Sequence, residues 1–252
     1  MQLIRALLLV SLLLASQIGW AGTFSQIGSS RWVSVAKVYD GDTFKTDDGE
    51  KVRLLGINTP EIAHSSKPGE VLGRRAKSRL EELIGNRLVR LEFDREKRDK
   101  YGRLLAHVRL RDGRWINSQM IQDGLAHLYI FAPNFRYAGK LLEDEKAARL
   151  KRSGIWGKSR FKVIKKANVT PSMIGQFRLV EGSITHIGKS GWKIKMGSLL
   201  VTIPRAYREW FKSPPKLKVG QQIVVRGKIR ISRKDRLYLA LHSPFDLEII
   251  ER

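Results

Sequence analysis

Between Val33 and Ile57 the chain reverses direction twice in quick succession, and nothing else constrains its fold as strongly. Val33, Val35 and Val38 lead into Asp40-Gly41, Thr43 resumes an extended pattern, Asp48-Gly49 turns again, and Lys51 to Ile57 reads as a third strand. Asp-Gly is a tight-turn pair because glycine takes positive φ without strain, while β-branched residues favour extended backbone. Three such strands need a covering layer and further partners to be stable. The chain supplies both. Arg74 to Ile84 has helical spacing, with Ala76, Leu80, Leu83 and Ile84 on one face and Gly85 as a stop. Leu88 to Phe93 and Leu104 to Leu110 read as a strand pair around a charged loop. A short helix is expected up to Gly124, capped by Asn117 or Ser118, and a third over Lys140 to Lys151. Residues 31–157 therefore read as mainly β with helices (α+β), a five-strand meander with three helices that suits an OB-type barrel.

Residues 158–174 are basic and lack apolar periodicity, so they read as a linker. Residues 175–252 form a second strand-rich unit. Phe177 to Ile187, Trp192 to Met196, Leu199 to Ile203, Gln222 to Ile231 and Leu237 to Leu241 read as strands, with a short helix over Arg205 to Phe211. That order suits a second small β-barrel, of OB-like type on pattern alone.

Residues 1–21 read as an export signal. Arg5 gives the positive start, Ala6 to Ala15 a short apolar run, and Gly19-Trp20-Ala21 a small-x-small cleavage site. The run is short for a bilayer span, so no stable membrane insertion is expected once the signal is removed. The remainder is expected in the periplasm or outside the cell, as a monomer.

Charge narrows the partner. Lys and Arg total 48 against 24 Asp and Glu, a formal charge of +24. Residues 160–252 alone hold 20 Lys and Arg against 6 Asp and Glu. Such a surface favours a polyanion, because each phosphate neutralised releases condensed counterions. The C-terminal unit, poor in acids, reads as a nucleic-acid-binding domain in which Trp192, Trp210, Phe211 and Tyr238 either stack bases or fill the barrel core. The chain has no cysteine, which excludes disulfides, thiol catalysis and zinc–thiolate sites. Its five histidines, His64, His107, His127, His186 and His242, make no helical metal-site spacing.

Three patches carry chemistry: Asp40-Gly41-Asp42-Thr43, the run from Arg53 to Glu61 (RLLGINTPE), and Asp99-Lys100-Tyr101-Gly102-Arg103. Each alone is weak, since Asp-Gly turns and strand arginines are common. In this order, with Gly124-Leu125-Ala126 and Pro133-Asn134 following, the chain from about Val33 to Trp156 resembles the staphylococcal-nuclease-like (thermonuclease) family. The resemblance implies a calcium-dependent phosphodiesterase that cuts DNA and RNA with little sequence preference, releasing the 5′-oxygen and leaving 3′-phosphate ends. It implies that Asp42, Asn58 and the Thr59 carbonyl hold one calcium ion, that Glu61 activates water, and that Arg53 and Arg103 clasp the scissile phosphate. Guanidinium suits that clasp because its planar fork donates two parallel hydrogen bonds. Lys67, Lys100, Tyr101 and Tyr129 match substrate-contacting positions.

Two residues depart from the family pattern. Asn58 stands where a second metal-binding aspartate is usual, which removes one negative charge and implies weaker calcium binding. Phe131 stands where a tyrosine is usual, which removes one hydroxyl. The alternative reading is a catalytically impaired nuclease fold that binds nucleic acid or another polyanion without cutting. A third, a cationic protein at an anionic envelope surface, has only the charge behind it.

Overall fold

Alternation of buried and exposed side chains shapes the first barrel. The structure is a computed structural model and describes residues 29–63, 69–158 and 160–250; the export-signal reading of residues 1–21 and the role expected of Lys67 lie outside the described residues. Along β3 (Lys51–Leu54), Val52 and Leu54 are buried while Lys51 is exposed and Arg53 half-buried. Alternation of this kind recurs at Val33 and Val35 of β1 (Ser30–Val38), while β2 (Thr43–Thr46), β5 (Leu88–Glu92) and β6 (Leu104–Arg109) also bury consecutive residues. These five strands close in the order β1-β2-β3-β6-β5. The OB-type barrel expected from the sequence is present.

Three helices cover it: α1 (Gly73–Ile84), α2 (Ile116–Gln122) and α3 (Ala138–Leu150). One core joins Phe44, Val52, Leu54, Leu91 and Val108 of the barrel to Leu80 and Ile84 of α1 and Met120 and Ile121 of α2. Each such side chain, fully buried, contributes about 1.5–3 kcal/mol. Two local expectations are corrected. The third strand stops at Leu54, because Gly56 turns the chain at φ +77°. Ile57–Asn58 then forms a separate strand, β4, antiparallel to β7 (His127–Leu128). Asn117 and Ser118 do not cap α2; they lie inside it, and Trp115 precedes it. Asn117 instead accepts from Val108 N and donates to the Leu55 carbonyl, and Ser118 donates to Asp144, each a buried tertiary bond.

Residues 158–174, expected from composition to be a linker, carry β8 (Ile164–Lys165), which pairs parallel with β9 (Phe177–Ser183), and two short 3₁₀ turns. Beyond β9 come β10 (His186–Ile187), β11 (Lys193–Met196), β12 (Leu199–Thr202), α4 (Arg208–Phe211), β13 (Gln222–Ile231), β14 (Leu237–Ala240) and β15 (Leu247–Ile249). The pairing order is β10-β11-β12-β14-β13-β9, with β12 and β14 parallel. Taking β9 and β10 as one broken strand, this repeats the first barrel, whose β3 and β6 are likewise parallel. The additional β domain is therefore OB-like in its pairing. Val180, Ile194, Val201, Val225 and Leu239 fill its own core. Trp192 and Phe211 pack on that core, and Trp210 meets Phe135 of the first barrel with centroids 5.9 Å apart. Three of the four aromatics considered for base stacking thus serve packing.

Candidate active site

The β1–β2 turn sets the position of Asp42. A Cβ on Gly41 would lie 2.6 Å from Ala76 Cβ and 2.8 Å from the Thr59 side chain, so only glycine lets the turn sit this close to α1. Asp40 Oδ1 accepts from Asp42 N at 2.9 Å. Asp42, itself buried, accepts from Thr59 N (2.9 Å) and Thr59 Oγ1 (3.1 Å) through Oδ2, and from Thr43 Oγ1 (3.1 Å) through Oδ1. Burial first, and then the Asp42 charge, push Asp40 up to about 6.

Arg53 closes this cluster. Its NH2 lies 3.0 Å from Asp42 Oδ2 and donates to Asn58 Oδ1 at 3.1 Å, while NH1 donates to the Leu54 carbonyl at 2.8 Å. Register explains the meeting. Thr43 pairs with Arg53 across β2 and β3, and the chain turns at Gly56 to return Asn58 and Thr59 to the same end. Asn58 also faces His127 across the β4–β7 ladder, with Nδ2 and Nε2 3.4 Å apart. Asp42, Arg53, Asn58 and Thr59, chosen from sequence as site residues, are thus brought together.

Arg103 sits where the β5–β6 loop enters β6. Val52 pairs with Leu104 and Arg53 with Leu105, so Arg103 emerges beside β3 on the side of the ladder that carries Arg53. Asp99 holds it: Oδ2 accepts from Nε at 2.8 Å and Oδ1 from the backbone N at 3.0 Å. Lys100 Nζ and the Arg103 guanidinium lie 5.0 and 5.7 Å from the Tyr101 ring centroid, and Tyr101 is 72% exposed. Tyr129 follows β7, with its N bonded to the Gly56 carbonyl at 2.9 Å, and packs edge-on to Phe131. Glu61 is different. Its side chain is exposed, and its backbone N donates to Glu70 Oε2 at 3.2 Å. Glu70 in turn pairs with Arg160. Sequence order puts Glu61 two residues beyond Thr59, but no hydrogen bond ties its carboxylate to the Asp42 cluster.

With this geometry in view, the comparisons are direct. Residues 51–158 match the family described as Staphylococcal nuclease homologue. The chain is 40% identical over 125 residues to the thermonuclease of Staphylococcus intermedius, covering 48% of this chain and 74% of that protein. The chain belongs to the staphylococcal nuclease family. It is also 32% identical over 143 residues to the thermonuclease of Staphylococcus hyicus, covering 54% of this chain and 84% of that protein. Against the SPbeta prophage-derived endonuclease YokF of Bacillus subtilis (strain 168) it is 37% identical over 134 residues, covering 51% of this chain and only 45% of that protein. The family match ends at residue 158, so the second barrel lies outside it.

Thermonuclease relatives imply a metal, and the donor chemistry can be tested against that. Asp42 carboxylate, Asn58 amide oxygen and Thr59 carbonyl are all hard oxygen donors of the kind calcium accepts. Among the described residues no group of three or more His, Cys, Asp or Glu comes together, so any ion here would draw on neutral oxygens beside Asp42. The set fits a hard cation and carries little charge. Asp40 and Asp99 stand inside the motifs but were given no role there, and His127 stands outside them. The first two were legible, as carboxylates two and four residues before the groups they hold. His127 was not, since only the β4–β7 pairing brings it to Asn58.

Proposed function

We propose that this protein is an exported, calcium-dependent endonuclease that hydrolyses phosphodiester bonds of DNA and RNA with little sequence preference, releasing the 5′-oxygen and leaving 3′-phosphate ends. One observation carries the reading: Arg53 converges with Asp42 and Asn58 in a cluster where its side chain is only 12% exposed and that of Asp42 9%. An arginine so held is already oriented for phosphate, and its partner carboxylate offers a hard-cation ligand. Asp42, Asn58 and the Thr59 carbonyl would hold the ion, which when bound supplies Lewis-acid polarisation of the phosphoryl oxygen.

In this reading Arg53 and Arg103 donate to the non-bridging oxygens, whose charge grows as the pentacovalent transition state forms. Glu61 orients and deprotonates water, and its exposure suits a group that receives solvent. Lys100 and Tyr101 hold a neighbouring phosphate, and Tyr129 packs against a nucleoside. Contacts of this kind address the backbone, and so confer little sequence preference. The basic second barrel, residues 175–252, adds affinity for long substrates. Among the described residues no helix is long and apolar enough to cross a membrane.

The test is cleavage of single-stranded DNA and RNA with calcium, with chelator, and by Arg53→Ala and Glu61→Ala. Each substitution is expected to lower kcat/KM by about 10²–10³, and chelator to abolish cutting. Unchanged activity in the variants would overturn the residue roles. Metal-independent, salt-sensitive binding without cleavage by any divalent ion would favour the polyanion-binding alternative.

A further inference from the structure

The two barrels meet beside Tyr129, and the cleft between them has a lining that neither barrel makes alone. Its volume is about 180 Å³, below the ~300–1,000 Å³ of pockets for drug-sized ligands and suited to a single ring system. The first barrel contributes Tyr129 and Phe131, whose rings meet edge-on at 4.6 Å. The second contributes Phe177 of β9, 5.7 Å from the Tyr129 ring, with Lys228 and Arg230 of β13. Register sets the cations: Phe177 pairs with Lys228, and Arg230, two residues on, projects from the same exposed face.

Polarity within the cleft is ordered. Asp246 lies at its buried end, where backbone N–H groups of His242 and Ser243 donate to Oδ2 at 2.7 and 2.9 Å. Lys228 and Arg230 are exposed at the rim. Buried Arg226 shares that inner lining and offsets the Asp246 charge, so the uncompensated positive charge that attracts a phosphate lies at the rim, beside the exposed edge of the aromatic cluster. The cleft also borders the candidate active site. Burial raises the Tyr129 phenol, and Arg53 on one side and Asp246 and Arg230 on the other are close enough to bear on its charge.

We propose that the second barrel completes the substrate site at this cleft: Lys228 and Arg230 of β13 hold a phosphate of the strand being cut, next to the nucleoside that packs against Tyr129. The second barrel is then part of the substrate site itself. The inference rests on the nuclease reading above for the identity of the strand, but its chemistry can be tested separately.

The experiment compares Lys228→Ala/Arg230→Ala with a charge-matched control, Arg87→Ala/Arg111→Ala. The control residues are exposed and flank the end of β6 far from Arg103. Binding of a fluorescent single-stranded oligonucleotide is measured by anisotropy in chelator. Cleavage of that oligonucleotide and of a nitrophenyl phosphodiester is measured with calcium. For the cleft variant the expected result is a Kd about tenfold weaker than for the control, as for loss of charge-assisted phosphate contacts. Its kcat/KM should fall about tenfold further on the oligonucleotide than on the small diester, mainly through KM. Equal effects from both pairs would overturn the subsite and leave only bulk charge. If the unaltered protein cuts nothing with any divalent ion, the nuclease reading falls, and the anisotropy comparison alone still decides the subsite.

Discussion

At the scale of single residues, Arg53 shows how much work a neutral neighbour shifts onto a charged one. Its NH2 is shared between Asp42 Oδ2 at 3.0 Å and Asn58 Oδ1 at 3.1 Å. Asp42 is the only carboxylate in that contact, so any cation bound here competes with the guanidinium for it. Restoring a carboxylate should relieve the competition. Asn58→Asp is expected to lower the calcium concentration for half-maximal cleavage by about tenfold, since calcium affinity follows ligand charge. An unchanged calcium dependence would remove Asn58 from the metal site. The identities of Asp42, Arg53, Asn58 and Thr59 as one group were readable in their spacing and family resemblance. That Arg53 bridges two of them was not, because a hydrogen bond between Arg53 and Asn58 depends on the turn at Gly56.

At the scale of elements, β6 carries a residue that ties stability to pH. His107 lies inside the barrel wall, with Trp115 and Tyr137 ring centroids at 5.4 and 4.8 Å, and its Nδ1 has no hydrogen-bond partner. Burial first, then Arg136 and Arg109, lower its pKa from 6.5 to about 3. The unfolded chain takes up this proton below pH 6.5, whereas the folded protein refuses it until about pH 3. The stability it contributes is therefore complete above pH 6.5 and is lost as pH falls toward 3, by about 1.4 kcal/mol per pH unit. His107→Phe is expected to be near neutral at pH 7 and to flatten that decline. Urea unfolding of both proteins at pH 7, 5 and 4 measures the difference, and parallel curves would refute the assignment. The helix boundaries were close to those read from apolar spacing, because α1 buries one continuous stripe. The cap of α2 was misjudged for a tertiary reason, since Asn117 bonds across the barrel instead of along its own helix.

At the scale of the whole molecule, the barrels are joined by buried charge. Arg226 of β13 is 1% exposed; it donates to Glu145 of α3 at 2.9 Å and pairs with Glu248 of β15. Glu145 Oε2 also accepts from Leu128 N at 2.6 Å, which ties the joint to β7 and so to Asn58. Burial would raise Glu145, but Arg226 and Arg149 outweigh it and hold it below the usual carboxylate range. Phe177 of the second barrel adds a stack on His127, 4.6 Å between centroids. Arg226→Ala would remove the more deeply buried of the two arginines that Glu145 and Glu248 share and leave both to Arg149, at a cost near the lower end of about 3–5 kcal/mol. The unaltered protein is expected to unfold in one cooperative transition by tryptophan fluorescence, and the variant in two. A single transition at unchanged denaturant midpoint would mean that the barrels are not coupled through this cluster.

What the sequence determined by itself is therefore local and chemical. Period-2 alternation and Asp-Gly turns specify the strands, apolar spacing specifies the helices, and the lack of cysteine with a charge of +24 limits the chemistry and the partner. These properties depend on near neighbours along the chain, which is why they can be read in order. Tertiary structure alone decided which residues share a site across distance: Asn58 with His127, Arg103 beside β3, and Phe177, Lys228 and Arg230 beside Tyr129. Strand register and the docking of the second barrel set those meetings, and both are fixed by the packing of whole faces, which no local pattern of residues encodes.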